Sequence, residues 1–167
     1  MAENNVAVIR SATSDDVEAI RNVGLITWPA TYAFAGQEYV DQGLARWWSV
    51  EAIGGSLHVT NTYVAEVDGV LVGMGNIDLR PELPTIWKLY VVPGYHGRGI
   101  GKMLMTRLLR DAPSGSADVV LEYIDGNDRA ASFYRGQGFT ELRREDGDVA
   151  GWPQTVWMIH RTRVAEP

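Results

Sequence analysis

Apolar and polar positions alternate from Val6 to Arg10, which predicts a short strand. The period then changes. Val17, Ile20, Val23 and Ile26 share one helical face behind Ser14-Asp15-Asp16, which offer an N-cap and an acidic first turn. Pro29 is expected to break that helix within the aromatic stretch Ile26 to Tyr32, and a second helix is expected from Gln37 to Trp48. Thr62 to Val67 and Val70 to Ile77 read as strands joined by Asp68-Gly69, a two-residue hairpin signal. Thr85 to Val92 is a further strand, stopped by Pro93, which cannot donate to a ladder. Lys102 to Arg110 then read as a helix, with Ile100, Met103, Leu104 and Leu108 on one face. Pro113-Ser114-Gly115 punctuate, and Val119 to Ile124 are apolar enough for a strand buried on both faces. A helix from Asn127 to about Gln137 and strands near Phe139 to Arg143 and Thr155 to Arg161 complete the chain.

Between strand and helix stands Tyr95-His96-Gly97-Arg98-Gly99-Ile100-Gly101-Lys102, with glycine at every second position. Such a loop lets backbone N–H groups converge on a phosphate at a helix N-terminus, with Arg98 and Lys102 adding charge. It is not a P-loop, because Met103 stands where Ser or Thr is needed after the lysine. Nor is it a dinucleotide fingerprint, which needs glycine where Lys102 stands.

A second constellation runs from Asn127 to Phe139. Asn127, Ala130, Ala131 and Tyr134 fall on one helical face, joining a polar cap, two small residues and a phenol. Small residues let a ligand lie along the helix, while the amide and phenol hydrogen-bond it at two points. Packing in the core is the simpler role for Tyr134 alone, and for each of Trp28, Tyr32 and Trp47.

Composition narrows the chemistry. The 167 residues, 46% apolar and 22% charged, suit one domain spanning 1–167. The absence of cysteine excludes disulfides and thiolate chemistry, and three scattered histidines (58, 96 and 160) offer no metal site. His58 and His160 are expected at the surface or a sheet edge. A net charge of −6 disfavours nucleic acid as a partner. Without a signal peptide or membrane span, a cytoplasmic protein that does not bind membranes is expected, as monomer or homodimer.

His96 to Gly101 resemble the acyl-CoA-binding motif Q/R-x-x-G-x-G/A of the GCN5-related N-acetyltransferases, with His96 in the first slot and Gly99 and Gly101 in the small ones. Asn127 to Phe139 match the same family's pattern N-x-x-A-x-x-F-Y-x-x-x-G-F at every named position. The element order β-α-α-β-β-β-α-β-α-β-β is similar to that fold over the whole length. The resemblance implies an α/β (α+β) domain, a mixed, mostly antiparallel sheet of six to seven strands flanked by four helices. It implies acetyl-CoA as co-substrate and no metal. His96, Gly97, Arg98, Gly99, Gly101 and Lys102 would hold the pyrophosphate, and the main chain of Leu89 and Val91, with Asn127, the pantetheine arm. Tyr134 would lie near the sulfur and protonate the departing thiolate, and Trp28, Tyr32 and Trp47 would line the acceptor pocket. The connection holding Gly147-Asp148 and Trp152-Pro153 would close over it.

The reaction implied is direct transfer of an acetyl group to a primary amine of a small molecule or peptide. Polyamines, aminoglycosides, amino acids and peptide N-termini all remain open as acceptors. Many relatives carry a glutamate in the strand before the glycine loop, whereas Thr85 to Val92 contain no carboxylate. Glu122 is the first substitute as general base and Asp78 the second, with relay through water to a distant group as a third route. The alternative to an enzyme is a non-catalytic acyl-CoA-binding sensor or partner module of the same fold.

Overall fold

The computed structural model describes residues 6–113 and 118–161; the turn residues Ser114-Gly115 lie outside them. Strand β1 (Val8–Ser11) leads through a 3-10 turn (Ser14–Asp16) into α1 (Val17–Tyr32), α2 (Gln37–Trp47) and α3 (Val50–Val59). There follow β2 (Asn61–Val67), β3 (Val70–Asp78), β4 (Thr85–Val91), α4 (Ile100–Asp111), β5 (Val119–Ile124), α5 (Asp128–Gly136), β6 (Thr140–Glu145) and β7 (Thr155–His160). The seven strands form one sheet in the order β1-β2-β3-β4-β5-β7-β6. Neighbours run antiparallel except β4 and β5, so the sheet is mixed and mostly antiparallel as expected.

The elements follow from local chemistry. At the β2–β3 hairpin, Asp68 and Gly69 both take positive φ, 51° and 76°, as a turn matching the strand twist requires. Thr13, rather than Ser14, caps the first helical turn: its N–H donates to Asp16 Oδ2 at 2.7 Å. Asp16 is buried and paired with Arg10 at 2.8 Å, which also holds Glu66 at 2.6 Å and so ties this turn to β1 and β2.

Two expectations are corrected. Pro29 does not break α1, which continues to Tyr32. Trp28 and Tyr32, either side of that proline, are buried in one core cluster with Ile20 and Val23, and this packing outweighs the ~3 kcal/mol local cost of an interior proline. A fifth helix, α3, joins the four expected, with Ser49 Oγ accepting from Ala52 N at 3.1 Å as its N-cap. Its Gly54-Gly55 pair weakens any helical signal.

Each sheet face carries its own apolar cluster. Leu104, Met105, Leu108 and Tyr134 from α4 and α5 pack on one face, and Ile20, Trp28, Trp48 and Ile53 from α1 to α3 on the other. Strand β5 is buried on both faces as expected, except at Glu122.

Candidate active site

The sheet opens at its centre. Strands β4 and β5 pair only at Thr85↔Val120 and Ile86↔Leu121, and diverge beyond. On the β3 side, Val92 N donates to Val72 O at 2.8 Å and Lys88 N to Asn76 Oδ1 at 2.9 Å. Strand alternation turns the main-chain groups of Leu89 and Val91 the other way, into the opening, where β5 no longer pairs with them. His96 Nε2 lies 2.6 Å from Val91 O; a carbonyl only accepts, so this nitrogen carries the proton and donates.

The glycine loop closes one end of the opening. Gly97 and Gly99 adopt φ of 77° and 79°, and Gly99 stands at the N-cap of α4, which no side chain caps. Met103 N donates to Gly99 O at 3.0 Å, while Gly99, Ile100, Gly101 and Lys102 line the cleft ahead of it. A twelve-residue helix thus presents its positive end to the cavity. A Cβ on Gly101 would stand 3.4 Å from Phe133 Cζ, so glycine there lets α4 approach α5 closely. Arg98 is the exception: its guanidinium lies 4.8 Å over the Tyr95 ring, and it is not part of the cleft wall.

Helix α5 forms the opposite wall. Asn127 Oδ1 accepts from Ala130 N at 3.2 Å as N-cap, and the residue lines the cleft. Tyr134, 9% exposed, lines the same cleft, and burial pushes its phenol up to about 12, so it is a neutral donor at pH 7. The cleft encloses about 250 Å³ and joins Leu89, Val91, His96, Gly97, Tyr134 and Glu122 in one cavity with the loop residues above.

A second chamber of about 470 Å³ lies toward α1, α2 and α3, and Tyr32, Trp87, Lys88, Tyr90, Glu122 and Tyr123 line both cavities. Trp28 and Trp47 line only the second chamber, and Tyr32 stands at the junction. Trp28 and Tyr32 are also core residues, so wall and core are one structure here. The phenols of Tyr32 and Tyr90 are 3.0 Å apart; one donates to the other, leaving a single proton to offer at the junction. Tyr39 packs edge-on against Trp152 at 5.0 Å, which brings the connection before β7 against the chamber wall.

The two candidate bases part company. Glu122 opens onto the junction, and no hydrogen bond or salt bridge among the described residues holds its carboxylate. The protein around it pushes the carboxyl above its ordinary value; Glu145 and Asp148 add to this, and Arg143 opposes it. Asp78, the second candidate base, is buried, with Arg80 Nη2 at 2.8 Å from Oδ2 and Trp87 Nε1 at 3.5 Å. Hydrogen bonds from Arg80 hold its carboxyl down at about 2, which makes it a poor proton acceptor. His58 is exposed at the end of α3, and His160 lies on β7 beside Phe139.

Lys88 was not legible as a site residue. Its Nζ donates to Trp47 O at 2.9 Å and lies 4.9 Å over the Trp48 ring, and burial lowers its ammonium to about 8. Among the described residues no group of three or more His, Asp or Glu is placed to hold a metal, and no helix is long and apolar enough to cross a membrane.

The chain is similar to known proteins in sequence and fold. The chain is 39% identical over 98 residues to the N-alpha-acetyltransferase RimI of Mycobacterium tuberculosis, covering 54% of this chain and 61% of that protein. It is 48% identical over 58 residues to the L-2,4-diaminobutyric acid acetyltransferase of Nocardia farcinica, covering 32% and 30%. The matches thus span less than two thirds of either relative. The fold matches the crystal structure of the PaiA N-acetyltransferase from Thermoplasma acidophilum in complex with coenzyme A, with a TM-score of 0.77 and 21% identity over 91% of this chain and 98% of that one. Residues 20–139, which carry the cleft, the glycine loop and α5, match the model of the acetyltransferase (GNAT) family, and the chain belongs to that family.

Proposed function

We propose that the chain transfers an acetyl group from acetyl-CoA to a primary amine of a small molecule or peptide. The observation that carries this reading is the broken β4–β5 ladder, which leaves the Leu89 main chain and the Val91 N–H without a β5 partner between the uncapped N-terminus of α4 and the Tyr134 phenol. These groups suit the parts of coenzyme A: helix N–H groups for the pyrophosphate, strand amides and Asn127 for pantetheine, a phenol for sulfur.

Transfer requires a C–N bond to form, a C–S bond to break, one proton to leave the amine and one to reach the sulfur. Glu122 is the group we assign to the amine's proton, because its raised carboxyl opens at the junction of the two cavities. Tyr134 is assigned to the sulfur. An ordinary thiol titrates near ~8.5 and this phenol at about 12, so Tyr134 first hydrogen-bonds the developing thiolate. Burial raises the thiolate's proton affinity as well, and the proton follows as charge builds. The second chamber is the place we assign to the acceptor.

The β4 strand carries Lys88 and no carboxylate, which favours one second reading, a binding module without turnover. Thermal unfolding with acetyl-CoA, then thiol release against an amine panel, separates the two. A melting shift with thiol release supports the enzyme. A shift with no release on any amine supports the binding module, and no shift refutes both.

A further inference from the structure

The four charged side chains that line the second chamber sum to zero, but only two of them pair with each other. Arg80 is neutralised by buried Asp78 at 2.8 Å, and Glu122 faces the junction where an amine would meet the thioester. Lys88 has no carboxylate partner among the described residues: one of its three donors reaches the neutral Trp47 carbonyl at 2.9 Å, and its nearest ring is Trp48. Burial brings its ammonium down to about 8, which still leaves it mostly protonated at pH 7. A half-buried cation paired only with a carbonyl and a ring is under-compensated, and an anion in the chamber would complete it. Trp28, Tyr39 and Trp47 supply apolar walls, and about 470 Å³ is room for a small molecule.

We propose that the acceptor is a small amino carboxylic acid, its carboxylate held by Lys88 and its amine directed toward Glu122. This rests on the acetyl-transfer reading above. It makes Lys88 a specificity-determining residue and disfavours polyamines, which would meet an uncompensated cation.

Lys88 also caps the C-terminal end of α2 through the Trp47 carbonyl, and the test must separate that structural role. The probes are matched pairs that differ by one carboxylate: ornithine against putrescine, lysine against cadaverine, phenylalanine against phenethylamine. For the wild-type protein with acetyl-CoA, kcat/KM favours the amino acid by at least about tenfold, the ratio that ~1.4 kcal/mol of charge pairing produces. Lys88→Gln keeps a donor for the Trp47 carbonyl but removes the charge. It collapses the ratio toward one through a raised KM for the amino acid, and Lys88→Arg restores the preference. A wild-type preference for the decarboxylated amines, or a Lys88→Gln protein that keeps the amino-acid preference, overturns the proposal. An acetyl-CoA melting shift with no turnover on either member of any pair also overturns it, while leaving the coenzyme assignment standing. Loss of the melting shift itself strikes the acetyl-transfer reading instead.

Discussion

Tyr134→Phe removes one oxygen and leaves the ring. That ring packs against Tyr123 at 6.4 Å, Phe133 at 5.7 Å and Phe139 at 6.0 Å, and all three contacts survive. Among the described residues nothing is hydrogen-bonded to the Tyr134 hydroxyl, so no partner is left unsatisfied. The stability change is therefore within about 0.5 kcal/mol of zero. The rate should change far more. Loss of a positioned acid costs roughly 10²- to 10⁴-fold, or about 3–5 kcal/mol in the barrier. Because burial holds the phenol at about 12, it stays protonated through neutral and mildly alkaline pH, and the loss is the same across that range. The assay is thiol release at saturating acetyl-CoA, paired with denaturant unfolding and a coenzyme titration on the same preparation. A variant with unchanged kcat, or one destabilised by more than about 2 kcal/mol, makes Tyr134 a packing residue and refutes its assignment to the sulfur.

Glu122→Gln should lower kcat at pH 7 and remove the acid limb of the pH–rate profile. In the wild type that limb lies above the ordinary glutamate value, since desolvation by the surrounding protein raises the carboxyl and the base must be ionised; an identical limb in the variant excludes Glu122 as base. Gly99→Val meets open space at its Cβ but must hold φ near 79°, at a cost of about 1–2 kcal/mol, and should abolish the acetyl-CoA melting shift. A folded variant with an unchanged shift would falsify the phosphate cradle. Asp16 has a folded pKa of about 2, below its ordinary 3.8, chiefly because Arg10 hydrogen-bonds it. Its stabilisation is present above the ordinary value and lost as pH falls from about 4 toward 2. Asp16→Asn should thus cost about 1–2 kcal/mol at pH 7 and less at pH 3, by urea unfolding; equal costs at both pH values contradict the linkage.

What the sequence made legible was local. Asp68-Gly69 encodes its own turn, Val119 to Ile124 their burial, and Asn127 to Phe139 a cap, a face and a terminating glycine within one short window. What stayed hidden depends on contacts distant in sequence. The helix through Pro29 is held by packing of α1 on the sheet and its neighbouring helices, and Gly54-Gly55 masks a helix that Ser49 and buried Ile53 secure. The Tyr32–Tyr90 pair joins residues 58 apart, and Lys88 finds its carbonyl partner 41 residues away. The opening between β4 and β5 has no local signature, because Leu89 and Val91 differ from paired strand residues only in what fails to lie beside them. Asp78 reads as a candidate base until Arg80 and Trp87 fold over it.

The most direct test is thiol release from acetyl-CoA measured together with the mass of the amine product. Acetyl transfer predicts one thiol released for each acetylated amine, with release dependent on that amine. Thiol release without an acetylated product, or tight acetyl-CoA binding without release on any amine tried, contradicts it.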